Sequence, residues 1–288
     1  MPLWLPLTLL SALALATSDA LTKKALAGHN EYLVTWLKLL PALPLFLLPL
    51  PFLSIPTLTA EFYLCVLFSL PLEALAIFLY TKALKLSPLN LTLPLLSLTP
   101  LLLLVVPFLL LGERISLYGA AGILLIAIGS YLLNAKRGQG GVLAPFRALM
   151  SERGSLCMMG VAVIYAVTST LGKRAIAASS PLFFAACYLP LLVLLITPVA
   201  LYKGRGELRL MVQNGTLRAS ALPALCYAIQ ILAHVYAISL TNVAYMIAVK
   251  RTSLLFGVLY GRYLFQERGG VLASLIMLSG VFLILLGG

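Results

Sequence analysis

Charge is what this sequence has least of. Only 10% of its 288 residues are Asp, Glu, Lys or Arg, and just eight of those are acidic. A water-soluble domain needs a wet surface, and a chain that is 62% hydrophobic with a mean hydropathy of +1.07 does not have one. Histidine is almost missing: His29 and His234 stand far apart and alone. No His/Asp/Glu cluster at ligand spacing exists, and no nucleophile has a base beside it, so neither a metal centre nor an enzyme is expected. The four cysteines, Cys65, Cys157, Cys187 and Cys226, lie singly in apolar runs without a Cys-x-x-Cys pair, which makes them buried inert thiols. A phosphate-cradling Gly-x-x-x-x-Gly-Lys-Ser/Thr loop is absent, so the chain does not itself hydrolyse ATP, and no cofactor is expected.

What fills the chain instead is long apolar runs. A bilayer core takes roughly 20 apolar residues per helix, and at about 28 residues per span plus loop this length holds about ten helices and no sizeable soluble domain. Runs such as 101–111 show no alternation of apolar and polar residues, which excludes a β-barrel. The expected fold is therefore an all-α polytopic membrane protein. The net charge of +12 needs no nucleic-acid partner, because Lys and Arg flank membrane spans and set their topology. The opening run 3–16 lacks a basic leader and reads as a first membrane helix rather than a cleaved signal.

Ten apolar segments are expected, at about 3–21, 32–53, 60–84, 89–111, 117–133, 156–171, 182–201, 217–240, 244–265 and 271–286. Segment 2 carries Pro41, Pro44, Pro49 and Pro51, and segment 4 carries Pro94, Pro100 and Pro107. Each proline removes a backbone donor, so segment 2 should be kinked or broken. Gly119, Gly122 and Gly129 give segment 5 a small-residue packing face, and Gly257-x-x-x-Gly261 gives segment 9 another, for packing within the chain or for dimerisation. The polar connector 135–154 divides a first five-helix half, 1–134, from a second, 155–288.

The two halves repeat each other. Lys23-Lys24-Ala25 ends segment 1 and Lys173-Arg174-Ala175 ends segment 6. Glu113-Arg114 and Glu267-Arg268 both separate a half's fourth and fifth segments. Ile126-Ala127-Ile128-Gly129-Ser130-Tyr131 resembles Met277-Leu278-Ser279-Gly280-Val281-Phe282. Five is odd, so the second half enters the membrane inverted, the common architecture of secondary transporters with a midplane site between repeats.

Two patterns carry a family resemblance: Lys250-Arg251-Thr252-Ser253 with Phe256, Gly257, Gly261, Glu267-Arg268 and Gly280, and Pro94 with Pro100, Gly112-Glu113-Arg114, Gly122 and Gly129. Together, and with Lys38 early in segment 2, they resemble the EamA-type members of the drug/metabolite transporter superfamily. The resemblance implies ten helices in two inverted repeats around a central cavity. It also implies small organic solutes, often amino acids or other metabolites and commonly exported, with both termini in the cytoplasm. The chain's own charges disagree on orientation. Most cations, including Lys23, Lys24, Lys136, Arg137, Lys203, Arg205 and Arg218, fall on the side opposite the termini, which places the termini outside.

Ionisable groups at membrane depth mark candidate sites. Glu73, mid-segment, reads either as a proton-coupling or cation-binding carboxylate or as an ion pair with Lys38 or Lys250 that only joins helices. Lys250 and Arg251 suit a carboxylate or phosphate on the substrate, although neighbours on a helix point about 100° apart, so only one should face a cavity. His234 and Gln230, one turn apart, suit a polar stripe, and Tyr245 completes the candidate substrate-binding set. Asp19 should pair locally with Lys23, and Lys38 should snorkel to the interface. Glu113 and Glu267 should cap or fix turns.

The expected function is a secondary transporter of a small organic solute by alternating access, exporting it through a cavity lined by segments 1, 3, 4, 6, 8 and 9. A translocase for a lipid-linked group and a non-transporting membrane scaffold are the alternatives. Expected partners are the small-molecule substrate and membrane lipid, with the chain a monomer or homodimer in an inner or plasma membrane.

Overall fold

The computed structural model describes residues 2–25, 29–87, 92–135, 143, 146–147, 152–213, 215–265 and 271–287, and among them it contains helices and no strand. Seven helical stretches are long and apolar enough to cross a membrane: Trp4–Thr22, Glu31–Phe52, Ala60–Ala83, Pro94–Leu111, Arg153–Ala177, Pro181–Gly204 and Thr216–Ser239. They correspond to segments 1, 2, 3, 4, 6, 7 and 8. Segments 5 and 10 are shorter apolar helices, Leu117–Leu133 and Leu272–Gly287. Segment 9 is two helices, Val243–Lys250 and Ser253–Phe265.

The burial pattern is that of a membrane protein. Leu67, Phe68, Leu109, Leu194 and Phe282 face outward, while Thr8, Ser11, Ser18, Ser97 and Thr170 lie inside. Lipid, unlike water, accepts such an exterior, and interior hydroxyls must find partners within the protein. They do so on backbone carbonyls: Ser11 Oγ donates to the Gln230 carbonyl at 3.1 Å and Ser18 Oγ to that of Pro223 at 2.8 Å, tying segment 1 to segment 8.

Proline sets the breaks in segments 2 and 4. Segment 2 runs as helix Glu31–Leu39, a 3-10 turn Leu40–Ala42, helix Leu43–Leu47 and a second 3-10 turn Leu50–Phe52, with a proline at the start of each piece after the first. A ring nitrogen cannot donate to the carbonyl four residues back, so the helix restarts where the missing bond is harmless. Segment 4 behaves alike, as the 3-10 run Leu93–Leu98 and helices Thr99–Leu102 and Val106–Leu111. It ends at Gly112, whose φ of +69° suits a residue without Cβ. Segments 3 and 7 carry Pro71, and Pro190 and Pro198, and still run unbroken as Ala60–Leu86 and Pro181–Gly204.

Segments 5 and 10 cross at their glycines. A Cβ built on Gly122 would stand 2.5 Å from the Gly280 carbonyl oxygen, and one on Gly280 would stand 2.6 Å from the Gly122 carbonyl oxygen. Gly129 meets Met277 and the Ala273 carbonyl in the same way. Beside this crossing, segment 1 packs on segment 8, segment 3 on segment 6, and segment 2 on segment 7. Gly257 makes no close helix contact among the described residues, where a Cβ on it would meet nothing within 4 Å, and the surroundings of Gly261 lie outside the described ones.

Candidate functional site

A cavity of about 340 Å³ lies at mid-depth, and segments from both halves line it. Segment 3 supplies Glu73, near the middle of its 27-residue helix. Segment 4 supplies Thr99, segment 6 Tyr165 and Thr168, and segment 8 Tyr227, Gln230 and His234. Segment 9 supplies Lys250 and Arg251, and Leu15 adds segment 1. Segment 7, which sequence reasoning left out, forms an apolar wall with Phe184, Tyr188 and Leu192, where Phe184 and Tyr188 stack at 4.9 Å between ring centroids.

Both cations of segment 9 line the cavity, contrary to the expectation that only one would. The first half-helix ends at Lys250 and the second begins at Ser253. Arg251 between them keeps a right-handed helical backbone with φ −62° and ψ −14°, so the two side chains still leave at different angles and the cavity extends far enough to meet both. Arg251 N–H donates to the Ala248 carbonyl at 3.0 Å and Thr252 N–H to that of Val249 at 2.9 Å, the tight three-residue pattern that closes a helix end. Lys250 Nζ lies 3.1 Å from His234 Nδ1.

Glu73 shares the cavity wall with Thr168 and Lys250, and among the described residues no cation stands within 4 Å of its carboxylate. The pairing that would have made it purely structural is not made. Lys38 Nζ instead donates to Asp19 Oδ1 at 2.5 Å and stands 4.6 Å from the Tyr227 ring centroid. Asp19 thus joins segment 1 to segment 2; the side chain of its expected partner, Lys23, lies outside the described ones. Lys38 is likewise held in the protein rather than at the lipid interface.

Of the sequence-derived set, Glu73, Gln230, His234, Lys250 and Arg251 converge on the cavity, and Tyr245 does not. Its hydroxyl lies 3.2 Å from both the backbone nitrogen and the Oγ of Ser116, and its ring packs against Gly119. Five residues before Lys250, Tyr245 sits about 140° around the same helix, on another face. Thr99, Thr168, Tyr165, Tyr188 and Tyr227 were missed. Nothing in a single sequence distinguishes them from the other hydroxyl-bearing residues of the spans.

Nearer the termini a polar network closes the end of the bundle. Glu113, after segment 4, forms an ion pair with Lys173 of segment 6, and Lys173 also donates to the Thr241 carbonyl at 2.7 Å. The other Glu113 oxygen accepts the Val243 N–H at 2.9 Å and so caps the first half-helix of segment 9. Asn242 Nδ2 donates to the Arg114 carbonyl at 3.3 Å, and Arg174 pairs with Glu61. The capping role expected of Glu113 is the one it has; Glu267 lies outside the described residues.

Residues 2–135 match the family model of the EamA-like transporter family. One solved crystal structure superposes with a TM-score of 0.77 over 99% of this chain and 97% of that one, at 17% identity, a level that shows a shared fold. No curated protein matches the chain.

Proposed function

We propose that the protein, whose residues 2–135 match the EamA-like transporter family, is a secondary transporter that moves a small organic solute by alternating access through the mid-depth cavity. The observation that carries this reading is the convergence of Glu73, His234, Lys250 and Arg251, from segments of both halves, on one cavity at membrane depth. Charged side chains so placed are costly unless they serve a pathway. The cavity volume suits a solute the size of a metabolite.

The reading extends to ten spans in two inverted repeats. Its support is the register at the crossing of segments 5 and 10. Pairing Ile126 with Met277 and Gly129 with Gly280 exchanges the contact of Gly129 with Met277 for that of Gly280 with Ile126. The packing of segment 1 on 8 and of 3 on 6 exchanges in the same way. In this scheme the Glu113–Lys173 network is the gate on the terminal side, and the pieces of segments 2, 4 and 9 bend as it opens. Glu73 and His234 are the proton-carrying candidates. Export, termini outside the cytoplasm and an inner or plasma membrane complete the reading.

Solute counterflow in proteoliposomes tests it. The wild type should exchange its solute, while Glu73→Gln and Lys250→Ala insert and purify normally and lose exchange. Wild-type rates in both variants would contradict the cavity assignment.

A further inference from the structure

Six helical threonines of this protein keep their hydroxyls bonded, while the buried hydroxyls of Thr22 and Ser155, away from the cavity, have no partner. Thr8, Thr17, Thr35, Thr81, Thr170 and Thr197 each donate to the carbonyl four residues earlier at 2.6–2.9 Å. Thr99 does not. It is 1% exposed, lines the cavity, and its Oγ1 has no partner. It follows the 3-10 run Leu93–Leu98, whose tighter winding displaces the carbonyl a threonine would normally reach. Arg251, on the same cavity, has a buried and unpartnered Nε, and Thr252 beside it has a buried and unpartnered hydroxyl. Segment 4's helix Thr99–Leu102 packs on segment 9's helix Val243–Lys250, and Thr99 and Arg251 line the same cavity.

The balance of charged side chains on the cavity fixes the sign of the ligand. Among the described residues the cavity carries the cations Lys250 and Arg251 against the single carboxylate of Glu73, and no carboxylate stands within 4 Å of Arg251. The half-helix Ser253–Phe265 also begins at the break, with Ser253 on the cavity, so the positive end of its dipole is there. The Leu254 and Leu255 N–H groups there are taken up by the Arg251 and Thr252 carbonyls, just as the Ala248 and Val249 carbonyls take up the Arg251 and Thr252 N–H groups, so the two helix ends offset each other and the excess of cations decides the sign.

We infer that the meeting point of broken segments 4 and 9 is an oxyanion subsite, in which a carboxylate or phosphate oxygen of the solute accepts from Arg251 and the Thr99 hydroxyl. The inference deepens the transporter reading by naming the substrate class, organic anions, and rests on that reading only for the word substrate. The rest of the solute lies against the Phe184 and Tyr188 wall.

The test is ligand-dependent thermal stabilisation of the full chain in nanodiscs, with phenylacetate set against its uncharged isostere phenylacetamide. The acid should stabilise and the amide should not. Arg251→Gln should raise the apparent Kd for the acid by about tenfold or more, and Thr99→Val by about two- to tenfold. Ser155→Ala, which removes an equally unpartnered hydroxyl away from the cavity, should leave it unchanged. Stabilisation by lysophosphatidic acid in place of phenylacetate, lost in the same two variants, supports the subsite and assigns it to a lipid phosphate. Equal shifts from acid and amide, or wild-type affinity in both variants, overturn it. Flux separates the two readings. Anion binding lost in the variants but without counterflow keeps the subsite and removes the transporter. Counterflow of a neutral solute, unaffected by Arg251→Gln, does the reverse.

Discussion

The crossing of segments 5 and 10 and the break in segment 9 treat the same problem, a helix buried in apolar surroundings, in opposite ways. At the crossing, the absence of side chains lets backbone meet backbone, with a Cβ on Gly122 or Gly280 standing within 2.6 Å of the other's carbonyl oxygen. At the break, the chain gives up helical hydrogen bonds, and the buried polar atoms of Thr99, Arg251 and Thr252 are left open. One region tolerates no additional atom, and the other has donors waiting for one. A scaffold that holds the halves together has to be the first kind, and a site that takes up and releases a solute has to be the second.

Substitution at the crossing sharpens the contrast most. Gly122→Leu should destabilise by about 3 kcal/mol in thermal unfolding, because the added side chain runs into the backbone of Gly280 and Ile284 as well as the Ile284 side chain. Gly257→Ala, at a position where a Cβ meets nothing, should cost nothing measurable and gain at most about 1 kcal/mol from helix propensity. A smaller effect is expected at the closed end. Glu113→Ala leaves Lys173 without its carboxylate and the Val243 N–H without its acceptor, a loss of about 2 kcal/mol. Trp36→Phe removes the 2.9 Å bond from the indole N–H to Thr197 Oγ1, which joins segments 2 and 7, for about 1 kcal/mol. Least of all, Arg174→Ala should leave the melting temperature unchanged, since its pair with Glu61 is solvent-screened.

The two regions also differ in how far they could be read from sequence. Gly122, Gly129 and Gly280 announce a packing face, and the prolines of segments 2 and 4 announce breaks, because each residue type acts through its own covalent geometry. The break at Arg251-Thr252 has no such marker. It contains neither Pro nor Gly, so tertiary surroundings, not local propensity, decide it. Tyr245 misses the cavity for another reason: five residues before Lys250 on one unbroken half-helix, it lies on another face. The contact of Asp19 with Lys38 escaped for a tertiary reason: Lys38 reaches Asp19 only once segments 1 and 2 are packed. Glu73, Gln230, His234, Lys250 and Arg251 stood out against an apolar background, and all five line the cavity. Thr99 did not, because a hydroxyl in a span signals nothing until its missing partner is seen.

The central claim, that one cavity alternates between two sides through a gate formed by Glu113, Lys173 and Thr241, is tested most directly by a distance. Spin labels at Leu117 and Leu240, both exposed near the terminal-side closure, would be placed in a background in which the four native cysteines are replaced. The separation in lipid should show two populations whose ratio shifts when the transported solute is added, with Glu113→Gln moving it toward the longer one. A single separation, unmoved by solute while counterflow proceeds, would contradict the account.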